Sequence, residues 1–87
     1  MDWEIFLDRQ ADKSLSRFPK TDRGRISDAI ETMKINPYAG DLQRMGGKKD
    51  IWRRRVGNYR VFFEVRLAEK IIYVFEIKRR GSNTYSK

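Results

Sequence analysis

Apolar and polar positions alternate from Trp3 to Leu7, with Trp3, Ile5 and Leu7 on one side of an extended chain and Glu4 and Phe6 on the other, so a short first strand is expected there. From Asp8 the spacing lengthens to three and four residues. Ala11, Leu15 and Phe18 then fall on one stripe, and Pro19 ends this first helix at about Arg17. A second helix is expected from a cap at Thr21, with Ile26, Ala29, Ile30, Met33 and Ile35 as its apolar stripe, up to the breaker Asn36-Pro37. The two helices form a hairpin with a very short turn. Gly24 weakens the first turn of the second helix by up to ~1 kcal/mol, and no neighbouring residue in the sequence accounts for it.

Residues 38 to 50 contain three glycines and little periodicity, and are expected to be a loop leading into the second half. Three apolar and aromatic runs follow, Ile51 to Val56, Tyr59 to Arg66 and Lys70 to Lys78. The first two are separated by the turn dipeptide Gly57-Asn58 and the last two by Leu67 to Glu69, the pattern of an antiparallel meander. A polar tail runs from Arg79 to Lys87. The expectation is one α+β domain over residues 1–87, in which an N-terminal strand and helix hairpin pack on an antiparallel sheet, in the order β-α-α-β-β-β.

If Gly57 and Asn58 are the turn, Arg55 stands directly opposite Arg60, and opposed residues share a face. Arg53, Arg55, Arg60, Phe62 and Glu64 then line one side of the hairpin, while Trp52, Val56, Tyr59, Val61 and Phe63 line the other. The second set is the expected core face and the first an exposed basic patch. Like charges set directly opposite each other destabilise a sheet by a few tenths of a kcal/mol or more, and a bound phosphodiester would relieve this, since each guanidinium offers a planar fork to two phosphate oxygens. Arg54 is the exception in this strand, because alternation turns it toward the core and it must reach the sheet edge or solvent along its stem.

Charge strengthens this picture. The chain carries a formal charge of +8, but residues 1–43 hold seven Lys/Arg against eight Asp/Glu, and residues 44–87 hold thirteen against four. The whole excess lies in the sheet-forming half, which points to a polyanion or an acidic partner. Lys48 and Lys49 add general attraction for a nucleic-acid backbone, and Phe62 is the aromatic best placed to stack on a base. Trp3 and Trp52 are expected to pack in the core. A chain of 87 residues buries only about 60 to 65% of its unfolded surface, which limits it to one compact core. It has neither cysteine nor histidine, so disulfides and the common transition-metal ligands are excluded and a metal-free, cofactor-free protein is expected. The N-terminus carries no basic leader and no apolar run approaches the ~20 residues of a membrane span, so a cytoplasmic protein is expected.

RNA can be cut without metal when its own 2′-hydroxyl is deprotonated and attacks the adjacent phosphate. This needs a base, cationic stabilisation of the developing charge, and a proton for the leaving 5′-oxygen. With histidine absent, the base must be a carboxylate or a phenol. Tyr85 is one candidate, if surrounding arginines favour its phenolate, and Glu64, on the face of Arg60, is the other. A noncatalytic RNA- or ribosome-binding domain would use the same basic face without needing Tyr85.

The N-terminal strand and helix hairpin, the run Trp52-Arg53-Arg54-Arg55-Val56-Gly57-Asn58-Tyr59-Arg60-Val61-Phe62-Phe63-Glu64-Val65 and the tail from Lys78-Arg79-Arg80 to Tyr85 together resemble the RelE-like toxins of the RelE/ParE toxin–antitoxin superfamily. The resemblance covers nearly the whole chain. It implies a small endoribonuclease that cuts messenger RNA on the ribosome and is held inactive by a cognate antitoxin, through whose complex alone it would meet operator DNA. By the same resemblance Arg53 and Arg55 bind the RNA backbone and favour the ionised base, and Arg60 stabilises the phosphate. Arg79, with Arg80 as its competitor, serves the leaving oxygen, and Tyr85 is the tail tyrosine. Arg54 departs from the family pattern, which has an aliphatic residue there. With Lys48, Lys49, Phe62 and Arg80, it completes the expected RNA-binding set. The runner-up within the superfamily is a ParE-like inhibitor of DNA gyrase, a branch that generally does not keep Arg60, Arg79 and Tyr85.

Overall fold

The computed structural model describes residues 3–47 and 49–80. The order of elements is β1 (Glu4–Leu7), α1 (Arg9–Arg17), α2 (Lys20–Met33), β2 (Asp41–Arg44), β3 (Ile51–Val56), β4 (Tyr59–Arg66) and β5 (Ile71–Arg79). The strands form one sheet in the order β1-β5-β4-β3-β2. Its pairings are antiparallel except at β1, which runs parallel to β5. The fold is therefore the expected α+β class, with one strand more than the sequence suggested.

The helices begin and end for local reasons. Asp8 caps α1 by accepting the N–H of Gln10 at 3.2 Å. The helix stops at Arg17 because Pro19 bars αR backbone at Phe18, which is extended. The second helix starts at Lys20 with Pro19 at the capping position, so Thr21 is not the cap. It ends at Met33, where Asn36 accepts the N–H of Tyr38 at 3.0 Å and turns the chain. Ile35 lies beyond that end and is 76% exposed, outside the apolar stripe that was expected to include it.

Ala11, Ile26, Ile30 and Met33 pack on Tyr59, Val61, Phe63, Val65, Ile72, Val74 and Ile77 to form the core. Both helices thus lie on one face of the sheet. Among the described residues no helix or strand lies over the other face. Trp52 and Val56 pack at the margin of the core as expected, as does Trp3. The turn between β3 and β4 is Gly57-Asn58, with Gly57 at φ +58°, and it sets Arg55 opposite Arg60 as the sequence implied.

Two departures shape the site. Asp41 to Arg44, expected as loop, is an edge strand paired with β3 from Arg55 to Trp52. The register between β4 and β5 also shifts between Phe62 and Phe63. Phe63 pairs with Val74 but Phe62 pairs with Glu76, so Phe75 is the extra residue of a β-bulge. From Glu76 onward the bulge reverses which side each residue of β5 faces.

Candidate nucleic-acid interface on the open face of the sheet

Because every pairing across β2, β3, β4 and β5 is in place, the open face reads as rows crossing the strands. One row runs Asp41, Arg55, Arg60, Lys78. The next runs Gln43, Arg53, Phe62, Glu76, and a third runs Ile51, Glu64, Tyr73 and, on β1, Phe6. Three cations therefore stand side by side on adjacent strands. Among the described residues no carboxylate lies within 4.0 Å of the guanidinium of Arg55 or Arg60. Asp41 is the neighbour of Arg55 in register without forming such a pair. Arg53 donates to Gln43, and Asp41, Leu42, Gln43, Arg53 and Arg55 line a shallow depression of about 250 Å³.

Three other acids, Glu76, Glu64 and Asp8, are engaged instead with other neighbours. Glu76 pairs with Lys78 at 3.5 Å and Glu64 with Arg66 at 3.3 Å. Asp8 accepts the hydroxyl of Tyr73 at 2.7 Å. The Tyr73 hydroxyl, followed by the N–H of Gln10, holds the Asp8 carboxyl below its ordinary pKa. The same bond, followed by burial, pushes the Tyr73 phenol up. Tyr59 and Tyr38 are pushed up as well, by burial first and then by Asp22 and Asp50 respectively. All three described tyrosines therefore favour the protonated phenol.

The expected site residues divide by face. Arg53, Arg55, Arg60 and Phe62 share the open face. Arg54 does not, for its guanidinium donates to the carbonyl of Ala29 and the hydroxyl of Thr32, both at 3.0 Å, on the C-terminal half of α2. Burial lowers its pKa. It belongs to the helix side of the sheet, which corrects its inclusion in the RNA-binding surface. Arg79, expected just past the last strand, is the final residue of β5 and pairs with Tyr59, so the bulge turns it toward the helix side. Its charge bears on the Tyr59 phenol. Arg80 is exposed, and its N–H donates to the carbonyl of Asn58 at 2.5 Å, beside the hairpin turn. Lys49 is exposed ahead of β3. Lys48 and Tyr85 lie outside the described residues.

Sequence reasoning missed Lys78 as a member of the Arg60 row. Alternation along β5 from Tyr73 would have put Ile77 opposite Arg60, and only the bulge substitutes Lys78. It also missed Tyr73 and Phe75. A pair of like residues at the bulge, two aromatics flanking Val74 ahead of Glu76, was the one available hint, and it is not specific.

Comparisons with known proteins agree with this architecture. A family model described as ParE toxin of type II toxin-antitoxin system, parDE, matches residues 5–84. A candidate toxin of Methanocaldococcus jannaschii named RelE1 is 29% identical over 83 residues, covering 92% of this chain and 92% of its own length. A chain in the crystal structure of the archaeal RelE–RelB complex from Pyrococcus horikoshii superposes with a TM-score of 0.80 at 26% identity, covering 94% of this chain and 99% of that one. The isolated E. coli RelE toxin gives a TM-score of 0.77 at 15% identity, over 90% of this chain and 84% of that one, a likeness of fold.

Proposed function

This chain belongs to the ParE toxin family of type II toxin–antitoxin systems, within the RelE/ParE superfamily, and is the toxin of a RelBE-type pair; from that membership we propose that it is a metal-independent endoribonuclease that cuts messenger RNA on the ribosome. The observation that carries this reading is the row Arg55, Arg60, Lys78, three cations on adjacent strands of a face that no helix or strand covers among the described residues, two of them without a carboxylate partner among those residues. A row of cations on rigid strands is preorganised for a phosphodiester and for the charge that grows on it during attack.

In this mechanism Arg60, in the middle of the sheet, stabilises the phosphorane-like charge, and Arg53 and Arg55 bind the backbone and favour the ionised base. Glu64 is four residues from Arg60 on the same strand, about 13 Å at ordinary strand rise, and its carboxylate is held by Arg66. That distance favours Tyr85, supplied by the family resemblance, as the base that takes the 2′-proton. Of the two tail arginines, Arg80, beside the hairpin turn, is the one that serves the leaving 5′-oxygen, because Arg79 is turned to the helix side. It acts by charge stabilisation, since a guanidinium gives up a proton reluctantly, and the oxygen takes its proton from water. The partner is a cognate antitoxin with an acidic segment, in keeping with the relatives solved as RelE–RelB complexes. Its association is steered by charge and slows as salt rises.

Expression of the chain alone from a tight promoter, with mapping of new RNA 5′ ends, tests the reading. Growth arrest with cuts inside translated frames is the expected outcome, and unimpaired growth at confirmed soluble expression overturns it. The family description itself names ParE, which supports gyrase inhibition as the second reading. Arrest with intact RNA and altered DNA supercoiling would select that reading.

A further inference from the structure

On the reading of this chain as an RNA-cutting toxin, we propose that the open face also carries a base-stacking track, made by Phe62 of β4, Phe75 and Tyr73 of β5 and Phe6 of β1, which takes the unpaired bases of single-stranded RNA whose phosphates lie on the arginine row. The Phe62 and Phe75 ring centroids are 6.3 Å apart and tilted by 42°, and those of Phe75 and Tyr73 are 6.4 Å apart and tilted by 33°. Phe6 is the register neighbour of Tyr73 and is 50% exposed. Three rings on β4 and β5 thus follow one another, and Phe6 stands next in register on β1, on the side of the sheet opposite the core.

Three features favour nucleic acid over an apolar protein segment as the occupant. The track begins beside the cations, since Phe62 pairs with Arg53 across the hairpin and sits one row from Arg60, so a strand of RNA can bring phosphates and bases to their counterparts together. The acids beside the track are each engaged, Glu76 by Lys78, Glu64 by Arg66 and Asp8 by Tyr73, which removes much of the repulsion an incoming phosphate would meet. Finally, the rings are held in place. Arg66 lies over the Tyr73 ring at 4.9 Å while Asp8 holds its hydroxyl, and the bulge gives Phe75 its place beside Phe62. Stacking of this kind tolerates any base, because every base has a π-face.

The test is fluorescence anisotropy with the full chain and two short oligonucleotides of equal backbone charge, both 2′-O-methylated so that they cannot be cut, one carrying adenines and the other abasic. The parent is expected to bind the adenine strand about tenfold or more tighter than the abasic one. Phe75→Leu and Phe62→Leu, which keep apolar bulk but lose the ring, are each expected to lose roughly 5- to 100-fold in affinity for the adenine strand and little for the abasic strand, with parental melting. The pair of variants guards against one of them failing to fold. Equal binding of both strands by the parent overturns the track while leaving the RNA reading intact, and points to a protein segment on the aromatics. A base preference that survives both substitutions also overturns it. Binding of neither strand at low salt overturns the RNA reading and the track together.

Discussion

Three consecutive arginines on β3 meet two different environments. Arg54 points to the helix side, where its guanidinium is committed to the Ala29 carbonyl and the Thr32 hydroxyl of α2. Arg53 and Arg55 point to the open side, where Arg55 stands between Asp41 and Arg60 in register with no carboxylate of the described residues in contact. The same side chain is thus a tie between layers on one face and an unneutralised charge on the other. Residue type in an Arg-Arg-Arg run says little about role; the face that the strand alternation assigns decides it. A helix-side arginine contributes to holding the fold, whereas an open-side arginine costs the fold something in repulsion and has its charge available for a ligand.

The sharpest way to break this contrast is at Arg60. Losing one preorganised donor to the developing charge typically costs about 10² to 10³ in rate, so Arg60→Ala is expected to lose that much single-turnover RNA cleavage. Its thermal melting should match or slightly exceed the parent's, because the repulsion with Arg55 is removed. Arg54→Leu should leave cleavage unchanged and alter melting instead. If Arg60→Ala cleaves at the parental rate, or Arg54→Leu is the variant that loses cleavage, the division of roles between the two faces is wrong.

Next in size is an effect on the helix side. Gly40 has φ +92°, and a Cβ there would meet the Arg54 guanidinium at 2.7 to 2.9 Å. The Gly40→Ala variant therefore suffers both a strained backbone and a clash with a side chain that is itself tied to α2. A loss of about 1 to 3 kcal/mol is expected, a fall in melting temperature of roughly 4 to 8 °C per kcal/mol for a domain of this size. In an Arg54→Leu background only the backbone strain, about 1 to 2 kcal/mol, should remain. An identical loss in both backgrounds would show that Arg54 does not pack on Gly40.

Gly24 gives the opposite result. An added Cβ there has nothing within 4 Å, and its φ is helical. Gly24→Ala in α2 is expected to stabilise the chain by about 0.5 to 1 kcal/mol, measured as a higher midpoint in urea at unchanged slope. A destabilised variant would mean that the groove between the helices, which Gly24 lines with Leu15, Ser16 and Ser27, closes against this position in solution.

The parts of the molecule that were legible in the sequence are those decided by short-range pattern. Gly57-Asn58 and the alternation on either side of it set the hairpin, and with it the shared face of Arg53, Arg55 and Arg60. Long-range and low-contrast features were not legible. The edge strand Asp41–Arg44 has one apolar residue, Leu42, because it is covered on little of its surface, so it carries no alternation to read. The parallel pairing of β1 with β5 joins residues that are far apart in the chain. The bulge at Phe75 has no glycine or turn residue to mark it, yet it decides that Lys78 joins the Arg60 row and that Arg79 turns to the other side. Arg54 was known to face the core, but its tie to α2 depended on where the helix ended. The readable half of the site therefore lies on one hairpin, and the unreadable half lies on the strand whose register that bulge controls.

The smallest expected effect lies on the open side, at the bond between Tyr73 and Asp8. Both partners are shifted by it, the carboxyl downward and the phenol upward. A carboxyl lowered on folding stabilises the chain above its ordinary pKa, and that stabilisation is lost as pH falls through the lowered value. A phenol raised on folding stabilises the chain below its ordinary pKa, and that stabilisation is lost as pH rises through the raised value. The parent should therefore melt above Tyr73→Phe across a plateau from about pH 4 to about pH 10, with the difference shrinking on both sides of it. The site is solvent-accessible, so the difference is small and is best followed by chemical denaturation at several pH values. A difference that stays constant below pH 4 would mean that the hydroxyl does not depend on the ionised Asp8. Because Tyr73→Phe keeps the ring, it should also bind base-bearing RNA as the parent does. A loss of that binding would assign the contribution of Tyr73 to its hydroxyl and leave Phe62 and Phe75 as the stacking surface.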